Sequence, residues 1–422
     1  MAVCSVVYRK YRFPCILLLL AGSGVWAQAL PLGADLTLPQ AFTEAWQRQP
    51  EAQSQAPRQD AAAAHRQLAD SWTPEPASLE LSIKSDRLTG NHGNSEFEAG
   101  VAWPLWLPGE RARSGALADA QIRANASRLL AAQLRIAASV RESYWQWQRS
   151  RGEHALALER LGNAQQLVAD VAKRVKAGDL ARADQHQADG LEATGTAELA
   201  EAASALAGAS QQLRALTGAA PLAALDATLV TEPLPGVSAD GAALKARHPA
   251  VAELVDRTEV ALRAADLARV QSRGNPELTL AMARVRGVDS EPYQQSITLG
   301  IRIPFGSDSR QRARLSTAQA ELIETETQWR LEQERLLAER DGARVRLESA
   351  QAQLRAADKR AQLARESRIF FLKSYQMGET DLPTRLRIEL EATEAQRQAG
   401  RARIDLAAAV SSLRQTLGLL PE

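Results

Sequence analysis

Residues 109–178 read GERARSGALADAQIRANASRLLAAQLRIAASVRESYWQWQRSRGEHALALERLGNAQQLVADVAKRVKAG and hold no proline. Ala, Arg, Glu and Gln dominate the run, and all four favour helix. At about 1.5 Å per residue, an unbroken helix from Gly109 to Ala177 would be about 100 Å long. Globular helices are far shorter, so such a helix needs a neighbour along its length. Gly115, Ile122, Leu129, Ile136, Ser143, Ser150, Ala157, Ala164 and Val171 fall at every seventh position. A sustained seven-residue period predicts left-handed coiling against a second helix, and the small residues near the far end permit close approach. Gly178 supplies the left-handed conformation that stops a helix. Asp179 is placed to start a return helix through Leu180, Leu191, Leu199, Leu206, Leu213 and Leu216.

The same plan recurs 200 positions on, with 178 answered by 378. Pro76 is answered by Pro276, Pro104 by Pro304, Leu213-Arg214 by Leu413-Arg414, Gly218 by Gly418 and Pro221 by Pro421; Pro50 is answered by Pro249, one position off. Turn residues recurring in step predict one supersecondary unit used twice. A second long helix is expected from about Ser307 to Met377, with Leu315, Leu322, Trp329, Leu336, Ala343, Ala350, Ala357, Ala364 and Phe371 as its seam. Gly378 ends it, Thr380 or Asp381 caps the return helix, and Pro383 suits that helix's first turn.

Outward from each long helix the period changes. In the first copy a helix begins near Pro39 behind Thr37, is interrupted at Pro50, and ends before Trp72-Thr73-Pro74-Glu75-Pro76. Leu79, Leu81 and Ile83 then alternate with polar residues, as do Phe97, Ala99, Val101 and Trp103 after the loop 89–94. In the second copy a helix is expected from about Ala242 to Ser272. It is followed by alternation at Leu278, Leu280 and Met282, and again at Ile297, Leu299, Ile301 and Ile303. Period two with one apolar face predicts two half-buried β-hairpins.

The expected division is 1–29 signal peptide, 30–221 first repeat, 222–241 linker and 242–422 second repeat. Arg9, Lys10 and Arg12 precede the apolar run Ile16–Ala21 and the small-residue sites Val25-Trp26-Ala27 and Ala27-Gln28-Ala29, the pattern of a secretory signal. An uncleaved anchor is the alternative, but the run falls short of the ~20 residues needed to span a bilayer. Cys4 and Cys15 both lie in that segment, so the mature chain is expected to carry no thiol or disulfide. After the signal no stretch would cross a membrane as a helix. Lys+Arg is 51 against 50 Asp+Glu, and this balance offers no general field for nucleic acid. Neither a nucleophile–base order nor a Gly-rich phosphate loop is present, so no enzyme and no cofactor are expected. His65, His92, His154, His186 and His248 are scattered, which argues against a metal site.

Four amphipathic strands, each near the length that crosses a bilayer when tilted, cannot close a barrel alone. In lipid the open edges must be paired, so sister chains must share the sheet: a dimer would supply eight strands and a trimer twelve. The helices would hang below, their polar faces lining water.

This order of elements resembles the TolC-like outer membrane efflux proteins. The residues that carry the resemblance are the paired copies and the hairpins ending in Trp103-Pro104 and Ile303-Pro304. Arg111/Arg113 and Arg310/Arg312/Arg314 opening the long helices belong to it too, as do the breaks Arg174-Val175-Lys176-Ala177-Gly178 and Ser374-Tyr375-Gln376-Met377-Gly378. The resemblance implies a mainly α fold with a small β part: a homotrimer, a shared twelve-stranded transmembrane barrel and a long helical tunnel. It also implies bacterial outer membrane location with extension into the periplasm. Docking to a periplasmic adaptor and an inner-membrane pump is implied as well, as an exit duct in a tripartite efflux system. The short segments before the arginines resemble the heavy-metal-cation branch, which works with resistance–nodulation–division pumps; drug efflux or type I protein secretion is the alternative cargo. Of another class, a periplasmic adaptor would show one helical hairpin rather than two copies, and a structural coiled coil would lack the strands.

Under that resemblance Arg174, Lys176, Gly178, Tyr375 and Gly378 are expected to meet the adaptor, against the plainer reading of two helix turns. Asp179, Asp184, Glu379 and Asp381 are pore-constriction candidates, since a charged ring favours ions of the opposite sign; helix capping is the plainer reading. Trp103 and Trp106 suit a membrane–water boundary, or an ordinary sheet end. Trp145, Trp147 and Trp329 read as seam packing.

Overall fold

The computed structural model describes residues 36–88, 90, 92–219, 229–236, 247–306 and 308–422. The expected signal peptide with Cys4 and Cys15, most of the linker, and Pro221 lie outside the described residues.

In the first copy the helices are α1 (Leu38–Gln47), α2 (Pro50–Gln53) and α3 (Gln55–Asp70). The strands β1 (Ser78–Ser85) and β2 (Ser95–Pro104) follow, then α4 (Glu110–Ala177) and α5 (Arg182–Thr217). The second copy gives α6 (Pro249–Val270), β3 (Glu277–Arg286), β4 (Gln294–Arg302), α7 (Asp308–Gln376) and α8 (Leu382–Thr416). Thr37 and Gln40 form a reciprocal cap at α1, with Gln40 Oε1 accepting the Thr37 N–H at 3.0 Å. The expected helix start at Ala242 lies outside the described residues; α6 opens at Pro249, with His248 Nδ1 accepting the Ala250 N–H at 3.3 Å. Ile303, expected in the fourth strand, lies just past its end.

The four strands form one antiparallel sheet in the order β1-β2-β3-β4, leaving β1 and β4 as open edges. Register aligns the apolar positions in rows: Leu79–Val101–Leu280–Leu299 and Leu81–Ala99–Met282–Ile297. The opposite face carries rows such as Ser82–Glu98–Ala283–Ser296. Tight approach on that face comes from small residues: a Cβ on Gly100 would lie 3.1 Å from Ala281 Cβ.

Each strand continues into a helix, so α3, α4, α6 and α7 pack side by side below β1, β2, β3 and β4. Farther down, α4 pairs with α5 and α7 with α8. The main core lies where α1, α4, α5 and α8 meet, around Leu38, Ala41, Val140, Tyr144, Trp145, Trp147, Leu213 and Ala407. Tyr144 and Trp145 meet edge to face at 5.2 Å, and the Trp145 Nε1–H donates to Ser411 Oγ at 2.9 Å. Trp145 and Trp147 are thus packing residues.

The seven-residue seam of α7 holds throughout: all nine positions are buried or half-buried. In α4 eight of the nine are, Ile122 being exposed; above Ser150 a second series of sevens, Ala120, Ser127, Leu134, Arg141 and Gln148, is buried as well. The reason is company. Upper α4 is enclosed by α1, α3, α6 and α8, so a broad face is buried there rather than a narrow stripe.

The described end of the expected linker is pinned. Glu232 is buried between Arg141 of α4 and Arg414 of α8, at 2.7 and 3.2 Å. Arg141 also donates to Gln415 Oε1 and the Leu419 carbonyl, and Arg414 to the Pro233 carbonyl.

Candidate functional site

Two features of the fold are exposed and built: the helical hairpin tips and the bare sheet with its rim. At the first tip Gly178 has φ +88°. The Asp179 N–H donates to the Arg174 carbonyl at 2.9 Å and the Gly178 N–H to that of Val175 at 3.1 Å. At the second, Gly378 has φ +80°, with Glu379 N–H on Ser374 and Gly378 N–H on Tyr375 in the same pattern. This is the closure that a left-handed C′ glycine permits. Neither glycine has an atom within 4 Å of where a Cβ would sit, so both turns project freely.

Both return helices start four residues after their glycine, at Arg182 and Leu382, yet the acidic candidates divide between capping and exposure. Asp381 caps α8, its carboxylate accepting the Thr384 N–H at 3.3 Å. Hydrogen bonding from Thr384 holds that carboxyl below the usual carboxylate range. In α5 the capping position is Ala181, not Asp179, and Asp184 reaches back to accept the Ala181 N–H at 3.0 Å. Asp184 and Asp381 are therefore occupied as helix-start acceptors, while Asp179 and Glu379 stand exposed at equivalent places in the two turns.

The expected adaptor residues divide too. Lys176, Gly178 and Gly378 are exposed. Tyr375 is only 3% exposed and offers no surface: it packs on Leu167, Val171, Ala188 and Leu382. Arg174 and Arg385 flank its ring at 4.6 and 4.5 Å, and both reach Asp170, at 3.6 and 3.7 Å. Arg174 is thus engaged inside the tip. The tyrosine was placed at the surface because sequence position near a turn says nothing of side-chain direction.

On the sheet, Leu79, Leu81 and Ile83 of β1 and Ile297, Leu299 and Ile301 of β4 are 60–77% exposed. No described helix covers this face. Trp103 and Trp106, expected as boundary anchors, are half-buried, and the Trp106 Nε1–H donates to the Ser71 carbonyl at 3.2 Å. The rim's bare aromatics are instead Trp72 and Phe305, each 94% exposed. Trp72 was legible only as a helix terminator and Phe305 only as a residue after Pro304.

Inside the chain, the junction between the copies is closed by a buried Glu110 at the start of α4. It accepts from Asn275 Nδ2 at 2.7 Å, Gln271 Nε2 at 2.9 Å and the Leu107 N–H at 3.0 Å. Asn275 also donates to the Leu105 carbonyl, and the Leu105 N–H to that of Pro276 at 2.7 Å.

Among the described residues no group of three or more His, Cys, Asp or Glu is arranged to hold a metal ion. None of their helices is long and apolar enough to cross a membrane, which bears on helices and not on the sheet.

Residues 41–219 match the outer membrane efflux protein family. No curated protein matches the chain. Among solved structures the chain is similar to CusC, at 19% identity and TM-score 0.75, covering 92% of this chain and 93% of that one. It is similar also to the MtrE outer membrane channel of Neisseria gonorrhoeae in its open state (17%, TM-score 0.73, covering 92% and 90%). A third is the outer membrane protein VceC of Vibrio cholerae (20%, TM-score 0.69, covering 92% and 97%). The family match covers residues 41–219, and the fold across both copies is that of these solved outer membrane channels.

Proposed function

We propose that three copies assemble into a channel in the bacterial outer membrane, the exit duct of a tripartite efflux system. One observation carries the reading. A four-stranded sheet with a continuous apolar face and two open edges stands uncovered above helices of 68 and 69 residues. Unpaired edges cannot persist in lipid, and four strands cannot close a barrel. Copies must complete the wall, and the helices, each about 100 Å long, then form a tunnel into the periplasm.

The duct does no chemistry and holds no cofactor. An adaptor meets the tips at Lys176, Gly178 and Gly378, with Arg174 and Tyr375 bracing them from within. Asp179 and Glu379 form the acidic constriction, and Asp184 and Asp381 keep their capping role. Trp103 and Trp106 set the membrane boundary from inside the rim. An inner-membrane pump of the resistance–nodulation–division type supplies the cargo, heavy-metal cations by the resemblance of the segments before Arg111 and Arg310.

The test is placement of charge on the two sheet faces. Leu81→Arg and Leu299→Arg, central on the apolar face, each cost about 2–4 kcal/mol against lipid. They abolish the heat-modifiable, outer-membrane form seen on gels. Ser82→Arg on the other face leaves that form and export intact. A wild-type chain recovered as a soluble monomer, or equal tolerance of both substitutions, refutes the channel. Metal sensitivity of a null strain, without drug sensitivity, tests the cargo.

A further inference from the structure

The repeat carries information about a junction that a single chain cannot contain. Within the chain, the second half of copy one (β2, α4) meets the first half of copy two (α6, β3). Its closure is a short polar set: Glu110 with Asn275, and the Leu105 N–H on the Pro276 carbonyl. At the open edges, the second half of copy two (β4, α7) and the first half of copy one (α3, β1) have no partner.

The spacing of 200 that relates Gly178 to Gly378 and Pro76 to Pro276 maps each closing residue onto an edge residue. Glu110 maps to Arg310, Asn275 to Glu75, Leu105 to Phe305 and Pro276 to Pro76. The polar pair Glu110–Asn275 thus becomes a charge pair with the sign moved to the other side. Arg310 and Glu75 are both exposed, and neither is part of any ion pair or hydrogen bond among the described residues. The two bare aromatics lie at the same edges. Phe305 follows β4, and Trp72 precedes β1.

These groups sit on fixed mounts. Ser71 Oγ bonds the Leu68 and Thr73 carbonyls at 2.7 and 2.5 Å, and Trp106 bonds the Ser71 carbonyl. Pro304 packs on Gly274, where a Cβ would come within 3.3 Å. Large rings bare at both free edges, where Leu105, the internal counterpart of Phe305, is half-buried, point to a protein partner rather than bulk solvent.

We propose that adjacent protomers are locked by a copy of the internal junction: Arg310 of one pairs with Glu75 of the next. The Phe305 N–H donates to the carbonyl of the next protomer's Pro76, and Phe305 and Trp72 cover each other across the seam. The inference rests on the channel reading, because it takes a second copy of this chain as the occupant. It goes beyond that reading by naming the residues that set the order of subunits around the ring. Opposite charges on the two sides of the junction prevent like edges from pairing: two β4–α7 edges would bring Arg310 against Arg310.

The experiment uses the full chain in detergent. Glu75→Arg or Arg310→Glu alone lowers the trimer fraction surviving a fixed heat step about fivefold, equivalent to ~1 kcal/mol. The double exchange restores it. In a background with Cys4 and Cys15 replaced, Glu75→Cys with Arg310→Cys treated with a bis-maleimide about as long as the ion pair it replaces gives covalent dimers and trimers on a denaturing gel, and either cysteine alone gives none. A trimeric wild type whose double-cysteine variant stays uncrosslinked overturns the lock and leaves the channel standing. So does a trimeric wild type whose two charge changes simply add. Quenching of Trp72 by brominated phospholipid in intact trimers would place lipid in the seam, also overturning it. A wild type that is no trimer at all overturns the channel reading itself.

Discussion

The two long helices have nearly the same length, 68 and 69 residues, and lie at matching places in the two copies, yet they live differently. Helix α4 buries 21 of its residues, among them Tyr144, Trp145 and Trp147; α7 buries six. The first packs against α1, α3, α5, α6 and α8 of its own chain, while the second borders an open edge. A repeat unit does not dictate the same environment twice: position in the assembly decides which copy becomes the interior spine and which waits for a neighbour. The exposed apolar residues of α7, such as Ile323, Leu331 and Phe370, are what that wait looks like in a single chain.

The sharpest way to break this comparison is to truncate one tryptophan on each helix. Trp147→Ala removes a fully buried ring and should cost about 3–5 kcal/mol in chemical denaturation. Trp329→Ala, at a half-buried site, should cost the protomer much less and show itself mainly as weaker trimers. Equal losses in the protomer would erase the distinction. Next comes charge. Glu232→Gln leaves the buried Arg141 guanidinium without a carboxylate and Arg414 with only the exposed Glu422, and a loss of about 2–4 kcal/mol is expected. Glu332→Gln, whose partner Arg335 is largely exposed, should move the denaturation midpoint by under ~1 kcal/mol.

The smallest effect concerns a pair of equivalent packing residues. Arg48 covers Gly218 in the first copy, and His248 covers Gly418 in the second. Burial pushes the His248 pKa down; Glu332 opposes this and Arg335 assists it, both from α7. A base whose folded value is depressed binds protons more readily when unfolded. Its stabilisation is therefore whole above the unfolded value of about 6.5 and is lost as pH falls below it. His248→Asn keeps a helix-capping side chain and removes the titration. Between about pH 7 and 5 the wild type should lose stability relative to this variant.

Much of the fold was written in local signals. Helix stops at Gly178 and Gly378, the period-two strands, and the bounds of α4 follow from rules that act over a few residues. So does the unbroken seam of α7, because one narrow face is all that it buries. The second buried series on upper α4 was not legible, because the heptad count assumes a single partner, and there α4 has four. The Arg141–Glu232–Arg414 group joins residues far apart in sequence, and nothing near any of them announces the others. At the tips the turns were legible, and so was Asp381 as a cap. The inward direction of Tyr375 was not, since a turn fixes the backbone and packing chooses the side chain's course. Trp72 and Phe305 were passed over because exposure is a property of the folded edge and not of the residue type.

The Arg141–Glu232–Arg414 group also sets an order of events. A chain emerges from the ribosome, and threads through any export apparatus, from its first residue to its last. Arg141 and Glu232 arrive early; Arg414 comes only when almost everything else has passed. Until then the buried acid has half its counter-charge, and the crossover between the copies cannot settle. A product lost from the last helix onward would keep both hairpins and both long helices, and still be marked as unfinished by a carboxylate in its middle left with one of its two guanidinium partners.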